Sequence, residues 1–563
     1  MGETPAFQNL PGHIIESICC FVGSSHRDQY SRSYSSTRCR RGKGNYDRQP
    51  LLGVSQRWRT ITQEHLYQNI EIMCQDNEPS IRHMEYNFCR QQLSKKTNSY
   101  VKTVTLFLSW TNVFSGAALE MLNQLYPNLT FPRARHVRVF FSAPFTKQVE
   151  SSSQTMHDIE EFTHRVRNMV PHAHSIQATV YSFGYMAVPH KFKHCSRVLN
   201  NLCSQLRSAE YHGWGNPQWH GILADQHTEL TNLTYDWMNF GEESYALFYT
   251  HAHTLQTLRL SSGTIINYNR LVQKLDNSKV VYSQLTHLHI EIESADLDSF
   301  HWKTPNNIAF FPKLCHFSHN QMYPFDDDTI FRGNRDIIKS INMFIDLKSF
   351  KSLKRHGMFS KTRMCETLQH LSLSKDSDAR LVDKLELPAD MLQNWLATTP
   401  VLQTLKVLVD EPGIRESLMA CLPTISCAKT LHMLVIPHIS LQFDKLLELI
   451  CQLPALTDLH CGYSGLENAL VLLDNRELVN YTCSVNQSWL KMWQVVNADA
   501  VAENTLALTA MLLAIALPNF TYAAIPPSMR ACYEDNLREY ILQVPFIAYA
   551  TRLECLFLKG API

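Results

Sequence analysis

The chain has 563 residues, 45% of them apolar and 18% charged, with a net charge of +1. That apolar share can build a core along the whole length, while a charged share below the roughly 25% of average domains leaves neutral polar groups to cover the surface. So even a balance excludes a global basic field of the kind that holds nucleic acid, and nucleic acid is not an expected partner. The sixteen cysteines follow no framework spacing and include no Cys-x-x-Cys pair. They read as small buried hydrophobes in a reducing compartment. The first residues lack the charged and apolar regions of a secretory signal. The expected location is cytoplasmic, nuclear or both.

Pro11 to Val22 reads as a short amphipathic helix, with Ile14, Ile15, Ile18, Phe21 and Val22 on one broad face and Gly23 as its stop. Residues 24–49 are rich in Ser, Gly and Arg and nearly empty of aliphatics, which predicts a disordered basic insertion. Leu51, Val54, Trp58 and Ile61 space as a second helix, and Ile70 and Ile72 alternate as in a strand. Span 1–75 is therefore read as an N-terminal helical module, 76–100 as a linker or first cap, and 101–563 as a repeat array.

The array repeats one phrase: aliphatic, two residues, aliphatic, one residue, aliphatic. Strong copies are Leu230-Leu233-Tyr235, Leu255-Leu258-Leu260, Leu285-Leu288-Ile290, Leu368-Leu371-Leu373, Leu402-Leu405-Val407, Leu431-Leu434-Ile436 and Leu553-Leu556-Leu558. Weaker copies are Val101-Val104-Leu106, Ala134-Val137-Val139, Leu206-Ala209-Tyr211, Leu314-Phe317-His319, Ile338-Ile341-Met343, Leu456-Leu459-Cys461, Leu478-Tyr481-Cys483 and Phe520-Ala523-Ile525. From Leu206 to Leu478 successive copies lie 22 to 34 residues apart, a long and irregular period. Helical patterns fall between them, at Leu271, Val272 and Leu275, at Met391, Leu392, Trp395 and Leu396, and at Phe443, Leu446, Leu447, Ile450 and Leu453. Pro132, Pro312, Pro400, Pro454 and Pro518 stand two residues before a phrase, where proline stops a helix and favours an extended chain. The apolar run Leu506 to Leu517 is about a dozen residues, short of the roughly 20 that span a membrane, and reads as a buried helix. No membrane partner is expected.

The N-terminal residues carry a resemblance. Leu10-Pro11, Ile14-Ile15-x-x-Ile18, Leu51-x-x-Val54-Ser55-x-x-Trp58-Arg59 and Leu66-Tyr67 resemble the F-box motif of divergent fungal-type proteins, over about 60 of 563 residues. The basic insertion replaces the family's usual middle helix. The resemblance implies docking on a Skp-type adaptor, and through it on a cullin-RING ubiquitin ligase, by Leu10, Pro11, Ile14, Ile15, Ile18, Val54 and Trp58. The same residues also suit a plain helical cap for the array. The repeats resemble the leucine-rich repeats often joined to F-boxes. The expected class is α/β: a small helical module followed by an irregular leucine-rich-repeat-like solenoid, a curved parallel sheet with outer helices. A helical array without the inner sheet is the competing architecture.

Strand alternation sends the residues between the aliphatics to the face opposite the core. Those positions hold Glu210, His212, Asp236, Arg259, His287, His289, His316, His370, Lys406 and His460, which become candidate contacts for an unknown protein substrate. Trp214, Trp219 and Trp237 add candidate anchors. The i, i+2, i+4 set His287, His289 and Glu291 occurs readily by chance, and no metal site is expected. No phosphate loop, dinucleotide fingerprint or nucleophile elbow is present, and glycine is scarce at 19. The chain is expected to need no cofactor and to be a receptor rather than an enzyme. The alternatives are a non-degradative scaffold and an unrecognised hydrolase or transferase.

Overall fold

The structure is a computed structural model. It describes residues 15, 56–66, 68–74, 98–109, 112–113, 115–125, 128–142, 153–180, 202, 205–213, 229–237, 240, 242–262, 266, 268–292, 308–319, 337–344, 367–374, 396, 399–408, 418, 427, 429–465, 490–498, 506, 509–510, 513, 517, 519–520 and 522–524. The chain forms two compact units, Met1–Ile266 and Asn267–Ile563.

Proline-led turns open many of the repeats. The Ala134 N–H donates to the Phe131 carbonyl at 3.1 Å across Pro132, and Leu314 to Phe311 at 3.1 Å across Pro312. Leu402 closes on Thr399 at 3.3 Å and Leu456 on Leu453 at 3.0 Å in the same way. Proline's fixed φ suits the second position of such a turn, which needs no N–H there. The short strand follows at once.

In the first unit the strands are β1 (Asn69–Cys74), β2 (Thr103–Ser109), β3 (His136–Ser142), β4 (Ser175–Val180), β5 (Ser208–Gly213), β6 (Asn232–Trp237) and β7 (Thr257–Ser262). They pair in chain order, all parallel. Helix α1 (Gln56–Leu66) precedes β1, α2 (Ala117–Leu125) joins β2 to β3, α3 (Ser153–Met169) joins β3 to β4, and α4 (Glu242–His251) joins β6 to β7. The second unit holds α5 (Tyr268–Val272), β8 (His287–Ile292), β9 (His316–His319), β10 (Ser340–Phe344), β11 (His370–Ser374), β12 (Thr404–Leu408), β13 (Met433–Gln442), α6 (Phe443–Gln452), β14 (Asp458–Gly465), β15 (Met492–Ala498) and β16 (Tyr522–Ala524). These strands too are parallel and in chain order. An inner parallel sheet thus exists in both units, as the leucine-rich-repeat-like reading requires and the purely helical alternative does not.

The phrase positions form the core. Val104, Leu106, Leu233, Leu260, Leu405, Leu434 and Leu459 are fully buried. Burying each such side chain is worth roughly 1.5–3 kcal/mol relative to leaving it in water. Tyr235, Phe240, Tyr245 and Phe248 form an aromatic cluster beside β6, with the Tyr235 and Phe248 rings 5.5 Å apart edge to face. Cys74, Cys427 and Cys461 are buried, and burial pushes their thiols up to about 12, 11 and 12, so they act as small apolar groups. The buried face of the run 506–517 is Leu506, Thr509, Ala510, Leu513 and Leu517, a helical spacing. No described helix is long and apolar enough to cross a membrane.

Register is held by the backbone, because the asparagine of standard leucine-rich repeats is mostly missing from the sequence. Just before each strand, one carbonyl accepts two successive N–H groups of the next repeat. Lys102 O takes Arg135 N at 2.9 Å and His136 N at 3.2 Å, and Gln403 O takes His432 N at 2.8 Å and Met433 N at 3.0 Å. The same pattern runs through both units.

Several boundaries differ from the sequence reading. The sheet begins at β1, inside span 1–75, because Ile70 and Ile72 find a partner strand in β2. Two strands were not anticipated: β4, from Ala173-Ile176-Ala178, and β15, from Leu490-Trp493-Val495. The phrases Leu478-Tyr481-Cys483 and Leu553-Leu556-Leu558 lie outside the described residues. Leu275 does not share the buried face of Leu271 and Val272 but is 74% exposed. Helix α5 ends at Val272, and the chain turns back through Asn277 at φ 63° to bridge Gln273 with Lys279.

Candidate functional site

Every strand gives alternate residues to the side of the sheet opposite the core. Rows on this polar side run straight across the strands over the first residues of each, where the register is unbroken; bulges interrupt it only later, in β13 to β15. One row of the first unit is Thr105, Arg138, Gln177, Glu210, Thr234 and Arg259; the next is Phe107, Phe140, Thr179, His212, Asp236 and Ser261. Phe107 and Phe140 stack with centroids 5.0 Å apart and planes 13° from parallel.

The best-defined cluster lies beside that pair. His212 Nε2 donates to Glu210 Oε1 at 2.6 Å, and His212 Nδ1 donates to Asp236 Oδ2 at 3.0 Å. Gln177 Nε2 donates to the same Glu210 oxygen at 3.1 Å. Both ring nitrogens act as donors only in the imidazolium form. Burial alone pushes His212 down, but the hydrogen bonds and charges of Asp236 and Glu210 outweigh it and hold the ring up at about 9. Glu210 is held below the usual carboxylate range by its bond to His212, against the opposing effect of burial. The cluster is a fixed, charged feature spanning two strands. With both nitrogens engaged, the imidazolium is a positioned charge rather than a proton shuttle.

The second unit treats its histidines differently. Its polar rows are His287, His316, Ser340, His370, Thr404, Met433 and Asp458, then His289, Ser318, Asn342, Ser372, Lys406, Val435 and His460. His287 and His316 stack at 4.2 Å and 17°. Burial, then His287, Lys339 and His370, lower His316. Burial and Lys406 lower His370. Burial and Lys406 lower His460 against the pull of Asp458, and its Nε2 is shielded from solvent with no hydrogen-bond partner among the described residues. His289 lies 3.6 Å from Glu291. His316, His370 and His460 are thus held toward the neutral imidazole, as is His136 of the first unit by burial, His174 and Arg138, whereas His212 is held as an imidazolium.

All ten sequence-derived face residues sit on the polar side of their strands. Glu210, His212 and Asp236 meet; His287 and His316 meet; His370 lies two strands beyond His316, and His460 three strands beyond His370. Arg259 is exposed and pairs in register with Thr234. His319 belongs to the core instead, fully buried at the third phrase position of β9. Sequence reasoning passed over Gln177 and the Phe107–Phe140 pair. The first lies in the unanticipated β4; the second reads as ordinary strand filler until β2 and β3 are placed side by side. Trp214 and Trp219 lie outside the described residues, and Trp237 closes β6. Of the adaptor-facing set, Leu10, Pro11, Ile14, Ile18 and Val54 lie outside the described residues. Ile15 is 0% and Trp58 2% exposed, so both side chains are packed within the chain.

No family model and no curated protein matches the chain. Among solved structures, it is similar to a chain of the yeast Rad7 and Elc1 complex at 12% identity, covering 80% of this chain and 84% of that one, with a TM-score of 0.31. It is also similar to TLR13 in the TLR13–ssRNA13 complex at 13% identity, covering 77% of this chain and 62% of that one, with a TM-score of 0.33.

Proposed function

We propose that this chain is the substrate-recognition subunit of a Skp-cullin-F-box type ubiquitin ligase, working in the cytoplasm, the nucleus or both. Its N-terminal helices tether the Skp-type adaptor, and the polar side of the sheet selects a target protein. The chain makes and breaks no bonds itself. It acts by proximity, raising the effective concentration of target lysines at the active site of the assembled ligase. The observation that carries the reading is the sheet itself: a surface whose rows of mostly polar residues cross strand after strand, including the fixed Glu210–His212–Asp236 cluster, suits protein recognition. The adaptor role is supported by the Leu10-Pro11 to Trp58 motif resemblance.

A second reading has its own observation. Ile15 and Trp58 are buried, and α1 leads almost directly into β1, as in a cap that shields the first repeat. One pull-down separates the two. The intact chain is mixed with a purified Skp-type adaptor, beside an Ile14→Asp variant whose thermal melt shows that it folds. Capture by the wild type and loss in the folded variant support the receptor. No capture by the wild type ends the adaptor reading and leaves a capped repeat scaffold. Trp58 is kept out of the test because truncating so buried a side chain unfolds as readily as it undocks.

A further inference from the structure

The N-terminal edge of the first unit's sheet carries unbalanced charge. Lys102, Arg135, His174 and Arg207 immediately precede β2, β3, β4 and β5, one per strand. The carbonyl ladder holds them in line: Arg135 N donates to Lys102 O at 2.9 Å, His174 N to Arg135 O at 3.1 Å, and Arg207 N to His174 O at 2.8 Å. With strands about 4.8 Å apart, the column spans roughly 14 Å. Lys102, Arg135 and Arg207 are exposed, as are Arg133 in the turn before β3 and Arg138 within it.

Across segments 98–109, 128–142, 169–180 and 205–213 the one acid is Glu210, already engaged by His212 and Gln177, and the next repeat adds only the exposed Glu229 two residues before Thr231. Arg135 gives one N–H to the His172 carbonyl at 3.3 Å. Lys102, Arg133 and Arg207 form no ion pair among the described residues. In the next two repeats the same position is Thr231 and Gln256, so the charge is local rather than a general trait of the fold. Like charges fixed in neighbouring strands repel, a standing cost that an anionic occupant removes.

We infer that this edge docks an acidic, extended stretch of a protein partner. The inference rests on the proposed use of the sheet for protein recognition and names the chemistry of what it recognises. Protein is favoured over single-stranded nucleic acid because the whole chain carries a net charge of only +1, without the global basic field that tracks a phosphate backbone. Long Lys and Arg stems reach carboxylates on alternate residues of an extended chain without demanding an exact spacing match.

The test is fluorescence anisotropy with the full-length chain and three probes: a labelled oligoglutamate peptide, an oligolysine peptide and a single-stranded oligothymidylate. Oligoglutamate binds, weakens with added salt, and binds about tenfold or more weakly to Lys102→Glu/Arg135→Glu/Arg207→Glu. A control, Lys339→Glu/Lys491→Glu, reverses two exposed charges of the second unit and keeps wild-type binding. Should the triple variant lose its circular dichroism signature, the milder Lys102→Gln/Arg207→Gln decides by a few-fold loss. Absence of oligoglutamate binding overturns the inference, as does equal loss in the control or an unchanged milder variant. So does tighter binding of oligothymidylate that disappears with the same residues. The column variants retain adaptor capture, so failure here and failure of the adaptor reading are told apart.

Discussion

Two carboxylates around one imidazole make His212 the residue whose protonation the fold most strongly fixes. Its folded value of about 9 lies above the ordinary 6.5, so the stability it contributes is complete below about 6.5 and is lost as pH rises through 9. Glu210 is depressed, so its share is present above its unfolded value near 4.5 and is lost as pH falls below that. The carboxylate side chains are 41% and 48% exposed, so water screens the pairs and the cluster is worth roughly 1–2 kcal/mol. His212→Gln is expected to lower the unfolding free energy from urea titration by that amount near pH 6 and to be nearly neutral near pH 10. A pH-independent difference would show that His212 only fills space. Period-2 alternation placed Glu210, His212 and Asp236 on one side of the sheet from sequence alone. Their meeting was not legible, because it depends on β5 and β6 aligning across 24 residues.

At the scale of the element, legibility followed how plainly each repeat spells its phrase. Leu402-Leu405-Val407 and Leu431-Leu434-Ile436 became β12 and β13, with every phrase position buried. Repeat β4 puts Ala at two of its three phrase positions and β15 puts Trp at its central one, where the plainest copies use Leu, so the spacing was present but the side-chain pattern masked it. Alternation marked Ile70 and Ile72 as a strand, but their pairing with β2 is a long-range fact that alternation does not supply. Helix α5 stopped early because the tight turn at Asn277 takes over, which periodicity does not weigh. The proline turns were read correctly and permit a graded test. Pro454→Ala frees the unfolded chain at a position whose folded geometry any residue can hold, a loss of about 0.4–1 kcal/mol. Leu456→Ala empties part of the core at the next phrase position, a loss of about 2–5 kcal/mol. Urea unfolding of both variants should preserve that order; its reversal would mean that the turn, not the buried phrase, sets the stability of this repeat.

Across the molecule, stability is a sum over neighbouring repeats, so a local charge change is felt locally. The face histidines differ by residue: His212 is held charged, whereas His136 in the first unit and His316, His370 and His460 in the second are lowered, each chiefly by burial. In the first unit, His212 gives stability that is full below about 6.5 and declines toward 9. In the second, His316, His370 and His460 are depressed, chiefly by burial and then by Lys339, Lys406 and each other. The unfolded state takes up protons before the folded one, so their stability is full above about 6.5 and declines as pH falls below it. Backbone amide exchange, corrected for the intrinsic pH dependence of the rate, separates the two. Lowering pH from neutral toward 5 should loosen β9 to β11 and β14 while β5 and β6 keep their protection. Raising it toward 9 should loosen β5 and β6 and spare the second unit. Parallel loss in both units at either extreme would mean that general charge repulsion, rather than these residues, governs the response.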